Sequence, residues 1–122
     1  MRVKGILTLA SVCLFALNLA AHTGEVMTSF KNPGNYATGL TFDGENLWMA
    51  DRQEDILYKI NPESGKIMGS IPSPGYWPMG LAWDGEYLWN ADIKGGIPKS
   101  ENYDGKIYKV DPENGTILHA VN

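Results

Sequence analysis

The chain has 122 residues and carries 10 Lys and Arg against 14 Asp and Glu, a formal net charge of −4. An acidic chain without a basic run is a poor candidate for binding nucleic acid or an anionic membrane surface, so neither is expected as a partner. Cys13 is the only cysteine, which excludes a disulfide-stapled domain within the chain.

A cleaved export signal is predicted at residues 1–21. Arg2 and Lys4 precede the mostly apolar run Gly5–Ala21, which is uncharged and ends in two small alanines. The alternative is a retained anchor helix, although 17 residues are few for a membrane span. Cleavage before His22 would leave eight Lys and Arg against 14 acidic residues, a formal charge of −6. A secreted or periplasmic location is therefore expected, with no membrane contact after the signal is removed.

The remaining chain is built on a repeat of 41 residues. Residues 39–51 read GLTFDGENLWMAD, and residues 80–92 read GLAWDGEYLWNAD. A second element, GEVMTSFKNPG at residues 24–34, returns as GKIMGSIPSPG at residues 65–75, and a third copy starts at Gly115. A fixed period of about 40 residues indicates a stacked or radial repeat architecture.

Short strands account for nearly every element of the repeat. Residues 24–31 are predicted to form an alternating strand that ends in Pro-Gly turn chemistry. The Asp-Gly pairs that begin at Asp43 and Asp84 predict two-residue type I′ turns, in which both central residues have positive φ. The predicted first strands are Gly39–Phe42 and Gly80–Trp83, the second are Glu45–Ala50 and Glu86–Ala91, the third read ILYKI and KIYKV, and the fourth follow Gly65 and Gly115. Helical periodicity is absent after residue 21, so an all-β chain is predicted.

Four antiparallel strands in a unit of about 40–50 residues are typical of a β-propeller blade. The consecutive apolar residues Leu47–Ala50 agree with a strand that is covered on both faces. The predicted organisation is a clasp-type strand at 24–31, blade one at 35–72 and blade two at 76–122, all within a partial β-propeller at 22–122. A β-sandwich is the alternative, but a sandwich does not require identical residues in register.

The order of the strands also predicts missing blades. Blade two already has its own fourth strand, so the strand at residues 24–31 has no three-stranded partner in this chain. Two blades would leave open apolar faces, and ring closure takes at least about four blades. We therefore expect the N-terminal part of a larger propeller, closed by further blades of the same chain. The alternative is a short chain that closes a ring with other copies of itself.

GLAWDGEYLW followed by KIYKVDPENG resembles blades of the YVTN, NHL and quinoprotein-like propellers, especially repeats of glutamine-cyclotransferase-like and streptogramin-lyase-like secreted chains. The resemblance covers about residues 24–122 and implies a blade architecture. It also implies an alternative function, in which the chain is the N-terminal part of a lyase, glutaminyl cyclotransferase or lactonase with its active residues on other blades. The matching residues are those that build a blade, so no catalytic residue is transferred to this sequence.

Two acidic residues end the predicted second strands, at the rim where propellers usually bind ligands. A ring of carboxylates such as Asp51 and Asp92 has the oxygen chemistry that a hard cation prefers. Because the same residue recurs in both repeats, however, a bond to the backbone of the following turn is favoured. No metal ligand is assigned.

Aromatic and basic residues are the other candidates at this rim. Tyr36 and Trp77 occupy equivalent positions in the connections into the first strands, with Tyr76 alongside, and are suited to stacking on a sugar, quinone or peptide ring. Arg52, Lys94 and Lys99 are loop cations that suit an acid group; Lys94 and Lys99 lie in a connection nine residues longer than its counterpart in the first repeat. Packing between blades is the alternative role of the aromatic residues.

The sequence contains no Ser-His-Asp order, P-loop or dinucleotide fingerprint. It therefore predicts an exported segment with a ligand-binding, protein-binding or scaffold role, whose partner is a small molecule or a peptide. No cofactor is identified by any motif.

Overall fold

A computed structural model describes residues 24–94 and 104–122. These residues form two four-stranded antiparallel sheets and no helix, which confirms the all-β prediction. Sheet one has the order β1-β2-β3-β4 and sheet two the order β5-β6-β7-β8. The strands are β1 Ala37–Phe42, β2 Leu47–Asp51, β3 Ile56–Ile60, β4 Ile67–Pro72, β5 Tyr76–Trp83, β6 Leu88–Lys94, β7 Lys106–Val110 and β8 Ile117–Val121.

The third strands coincide with the predicted segments ILYKI and KIYKV, because β-branched and aromatic residues there alternate between two faces. The first strands are longer than predicted. They begin at Ala37 and Tyr76, and each contains a shift in register shortly before the repeated Gly-Leu pair. A β-bulge of this kind adds a residue to one strand without ending the pairing.

The turns between the first and second strands differ from the predicted type I′ geometry. Gly44 and Gly85 have positive φ values of 101° and 104°, but the preceding aspartates do not. Asp43 Oδ1 instead accepts hydrogen bonds from the backbone N–H groups of Glu45 and Asn46. The carboxylate therefore organises a longer loop, and the second strand begins two residues later than predicted, at Leu47.

The Asp-Gly turns also fix the indole of the following strand. Trp48 Nε1 donates to Asp43 Oδ2 at 2.8 Å, and Trp89 Nε1 donates to Asp84 Oδ2 at 2.7 Å. A buried or half-buried indole N–H needs such an acceptor. The repeated Asp-Gly pair thus builds a turn and positions a tryptophan on the neighbouring strand.

The strand predicted at residues 24–31 is not formed: residues 25–32 carry no strand pairing in the structure. A strand requires a hydrogen-bonding neighbour, and the described residues supply none at this place. The Phe30 ring nevertheless lies directly against Gly65, in the turn between β3 and β4. In the next repeat Ile71 of β4 lies against Gly115, the equivalent glycine. Residues 24–31 therefore lie where a fourth strand of a preceding sheet would lie.

The two sheets pack face to face through different faces. The back face of sheet one, which carries Trp48, Ala50, Leu57 and Ile71, contacts the front face of sheet two. The apolar residues of that front face are Leu81, Trp83, Leu88, Tyr108 and Val110. Trp48 is only 2% exposed and lies in this contact between the sheets.

The two sheets approach each other closely at Gly39. A Cβ at this residue would lie 2.9 Å from the backbone nitrogen of Leu81 and 3.0 Å from Cα of Gly80. Thr38 Oγ1 donates to the carbonyl oxygen of Pro78 at 2.6 Å, which ties β1 to β5 beside this contact. The first strands thus touch backbone to backbone, and only glycine fits at residue 39.

Candidate functional site

The candidate site lies at the end of the sheets that carries the β2–β3 loop and the β4–β5 connection. Asp51, the last residue of β2, is fully buried there. Its Oδ2 accepts from the backbone N–H of Tyr36 at 2.6 Å, and its Oδ1 accepts from the N–H groups of Gln53 and Glu54, both at 2.9 Å. Asp51 therefore joins the chain entering β1 to the β2–β3 loop, which is the backbone-bonding role that its repetition favours.

Asp92 has the equivalent place in sheet two and is also buried. Ser73 Oγ donates to Asp92 Oδ2 at 3.3 Å, and the Asn90 amide donates to Ser73 Oγ at 3.4 Å. Among the described residues, Asn90 Oδ1 is buried and has no hydrogen-bond partner, at the position that Met49 holds in sheet one. Burial raises the pKa of the nearby Tyr108 hydroxyl, and the Asp92 carboxylate adds to this effect. The interface between the sheets is therefore polar around Asn90 and Asp92, whereas it is apolar around Trp48.

Arg52 contacts both of the equivalent aromatic residues at the rim. Its Cζ lies 4.9 Å from the centre of the Tyr36 ring and 4.9 Å from the centre of the Trp77 ring. Gln53 and Asp55 complete the lining of a cavity of about 300 Å³. This volume is at the lower end of the range for small-molecule sites. We call this cavity the rim pocket.

Trp77 has a positive φ of 68°, which is strained for a bulky side chain. The Asp55 carboxylate accepts a hydrogen bond from the Trp77 backbone N–H at 3.0 Å and so holds this conformation. Asp55 itself has a positive φ of 54°. Strained residues of this kind are concentrated at functional sites, because the surrounding structure must compensate for a cost of about 1–3 kcal/mol each.

The remaining aromatic and basic rim candidates are Tyr76, Lys94 and Lys99. Tyr76 is half-buried at the start of β5 and does not line the pocket. Lys94 is the last residue of β6, and Lys99 lies outside the described residues. Gln53 and Asp55 line the pocket although the sequence did not single them out. Their position within four residues of Asp51 was the available signal.

A second group of polar residues borders the rim on the side of β3. Glu54 Oε1 accepts from the Asn35 amide at 2.9 Å, and Glu54 Oε2 accepts from the Tyr58 hydroxyl. The Glu54 hydrogen bond raises the pKa of Tyr58 to about 12, and burial adds to the increase. Glu54 thus connects the chain before β1 to the third strand.

We expect Glu54→Gln to lower the pKa of Tyr58 from about 12 towards the ordinary tyrosine value of about 10, because the charged acceptor is removed. Ultraviolet difference absorbance during an alkaline titration measures the tyrosinate formed. Glu63→Gln, at an exposed turn position, is the matched control and should leave the titration unchanged. An unaltered curve for Glu54→Gln would show that the hydrogen bond does not govern Tyr58.

Neither a protein-family model nor a curated protein matches this chain. The resemblance to YVTN, NHL and quinoprotein-like blades therefore stays a prediction that rests on the repeat residues.

Residues 24–94 and 104–122 contain no group of three or more His, Cys, Asp or Glu side chains placed to hold a metal ion. Within the same ranges, no helix has the length and apolar character needed to cross a membrane.

Proposed function

We propose that the two sheets are adjacent blades of a larger, exported β-propeller, and that the rim pocket binds a small organic anion. Three observations support the blade assignment. Each repeat gives one four-stranded antiparallel sheet in meander order. The sheets contact each other through a back face and a front face, so the same contact can be repeated. The first strands, β1 and β5, approach each other backbone to backbone, as strands near a central axis would.

The ligand class follows from the chemistry of Arg52. Within the described part of the chain, no hydrogen bond or ion pair uses its guanidinium N–H groups, and the side chain lies against the Tyr36 and Trp77 rings. Aromatic rings hold a guanidinium through its faces, while its N–H donors lie in the plane of the group. Those donors suit the two oxygens of a carboxylate.

The aromatic part of the pocket suits the rest of such a ligand. Tyr36 is 53% exposed, so its ring is accessible to a planar group. Trp77 is held in its strained conformation by Asp55, which fixes the backbone beside the pocket before any ligand arrives. A small planar acid is therefore the class that the pocket fits, and the Arg52 guanidinium lying 4.9 Å from each of two ring centres is the observation that carries this proposal.

Benzoate is a suitable probe because it combines a planar ring with a carboxylate, and benzamide is its neutral counterpart. We expect benzoate to quench the tryptophan fluorescence of the protein in a saturable way, and benzamide to bind at least about tenfold more weakly. Arg52→Gln should weaken benzoate binding by about tenfold or more, since a hydrogen bond to a charged group contributes about 1.5–3 kcal/mol.

Lys66→Gln is the matched control, because Lys66 is an exposed cation at the β3–β4 turn, at the opposite end of the sheet. It should bind benzoate like the unmodified protein. Equal binding of benzoate and benzamide, or unchanged binding by Arg52→Gln, would contradict the assignment of an anion to this pocket.

A further inference from the structure

The back face of sheet two is uncovered in the described structure, although its counterpart in sheet one is buried. Ala50 and Leu57 on the back of sheet one are completely buried against sheet two. Their equivalents in sheet two are Ala91, which is exposed, and Ile107, which is 47% exposed. The same residue types in the same register thus form an interface in one sheet and an open apolar surface in the other.

The front face of sheet one is the complementary open surface. Leu81 and Trp83, on the front of sheet two, are packed against the back of sheet one. The equivalent residues in sheet one are Leu40 and Phe42, which are 61% and 51% exposed. Each of the two open faces also carries a shallow apolar cavity, of about 290 Å³ beside Leu40 and about 280 Å³ beside Ala91.

We propose that the back of sheet two in one copy of this chain packs against the front of sheet one in a second copy. The occupant is argued from continuity with the interface already present: both of its halves recur on the same chain, one at each end. Contacts between two different faces are heterologous, so the association runs head to tail and forms a ring or a filament. The proposal rests on the blade assignment above and extends it to a partner.

Residues 25–32, which precede β1, would be displaced in this association. Phe30 lies against Gly65, where the neighbouring copy would place Val121 of its own β8, since Val121 is the equivalent of Ile71. Residues 25–32 form no strand pairing, so their displacement breaks no sheet hydrogen bond. Val121 is 43% exposed in the single chain and becomes buried in the contact.

A substitution at Gly80 can test the association of two copies without disturbing the fold of the single chain. A Cβ on Gly39 would collide with the backbone of β5, whereas a Cβ on its equivalent, Gly80, would meet, among the described residues, only Cβ of Ala91 at 3.8 Å, an ordinary contact. Gly80→Ala is therefore tolerated by the single chain but collides with β1 of a second copy. Gly69→Ala is the matched control, because no described residue lies within 4 Å of a Cβ there.

The test is the mass of the protein expressed from its full sequence and purified, measured by light scattering across a concentration series. We expect concentration-dependent multimers for the unmodified protein and for Gly69→Ala. Gly80→Ala should raise the dissociation constant by about tenfold or more, as overpacking does in a closely packed interface. Circular dichroism verifies that the variant is folded. A monomeric unmodified protein, or unchanged association of Gly80→Ala, overturns the proposal.

A pair of blocked variants tests the head-to-tail direction and does not depend on Gly80→Ala. Leu40→Glu blocks the front of sheet one and Ala91→Glu blocks the back of sheet two, both at exposed positions. Each variant alone should be monomeric, and an equimolar mixture should form a one-to-one dimer through the two intact faces. A mixture that stays monomeric overturns the proposal. Benzoate binding is measured separately. A monomer that binds benzoate would refute the association without contradicting the proposal that the rim pocket binds an anion.

Discussion

Gly39→Ala should lower the free energy of unfolding by about 1–3 kcal/mol, the usual cost of an extra carbon atom in a closely packed interior. The added Cβ would lie 2.9–3.0 Å from backbone atoms of Gly80 and Leu81, which cannot rotate away as a side chain can. The two sheets must therefore separate, and the Thr38–Pro78 hydrogen bond would lengthen. Urea unfolding followed by tryptophan fluorescence measures the change.

Gly69→Ala is the control for the general effect of replacing a strand glycine. In the part of the chain that the structure describes, no atom lies within 4 Å of a Cβ at residue 69, so the unfolding free energy of this variant should change by no more than about 0.5 kcal/mol. If both variants unfolded at the same urea concentration, the backbone contact at Gly39 would not be a tight joint between the sheets.

Asp51→Ala should cost about 2–4 kcal/mol, because it leaves three backbone N–H groups without their acceptor at a buried position. It should also weaken benzoate binding, since Asp51 fixes the backbone of Tyr36 and the loop that carries Arg52. Urea unfolding and fluorescence titration measure the two effects on the same preparation.

Asp104→Ala removes a carboxylate from an exposed position and is the matched control for loss of charge. It should leave both stability and benzoate binding unchanged. Loss of stability without any loss of benzoate binding in Asp51→Ala would mean that the Asp51 bonds support the fold but do not position the pocket.

The strands were predictable because the repeat supplies two different sequences for each strand position. A pattern such as ILYKI has one interpretation when KIYKV follows the same signature in the second copy, and both form strands at the predicted residues. Turn geometry was harder to predict. Asp43 indicated a type I′ turn by its dipeptide, but its carboxylate bonds to the backbone of Glu45 and Asn46 and selects a longer loop.

Part of the rim pocket was visible in the sequence. Tyr36 and Trp77 occupy equivalent repeat positions, and their rings come within 4.9 Å of Arg52 in the structure. The positive φ of Trp77 had no sequence signal, because only glycine marks such a conformation reliably. Asp55 stabilises it across 22 residues of sequence, and a long-range contact of this kind is not encoded in local pattern.

The strand predicted at residues 24–31 shows the limit of pattern alone. The alternation of apolar residues was present, but strand formation depends on a neighbour that offers free backbone groups. Phe30 still takes the place against Gly65 that Ile71 takes against Gly115. The repeat thus predicted where the segment lies but not whether it forms strand hydrogen bonds.

The packing of a back face on a front face has a consequence for how such a protein grows. Each repeat encodes both halves of the joint, the surface around Ala50 and the surface around Leu88. Tandem duplication of the gene segment would therefore add a new sheet, and the sheet before it would already carry the surface on which the new sheet packs. A favourable substitution in one ancestral unit would be inherited by every joint at once, whereas the rim connections, where Tyr36 and Trp77 already differ, are free to diverge separately.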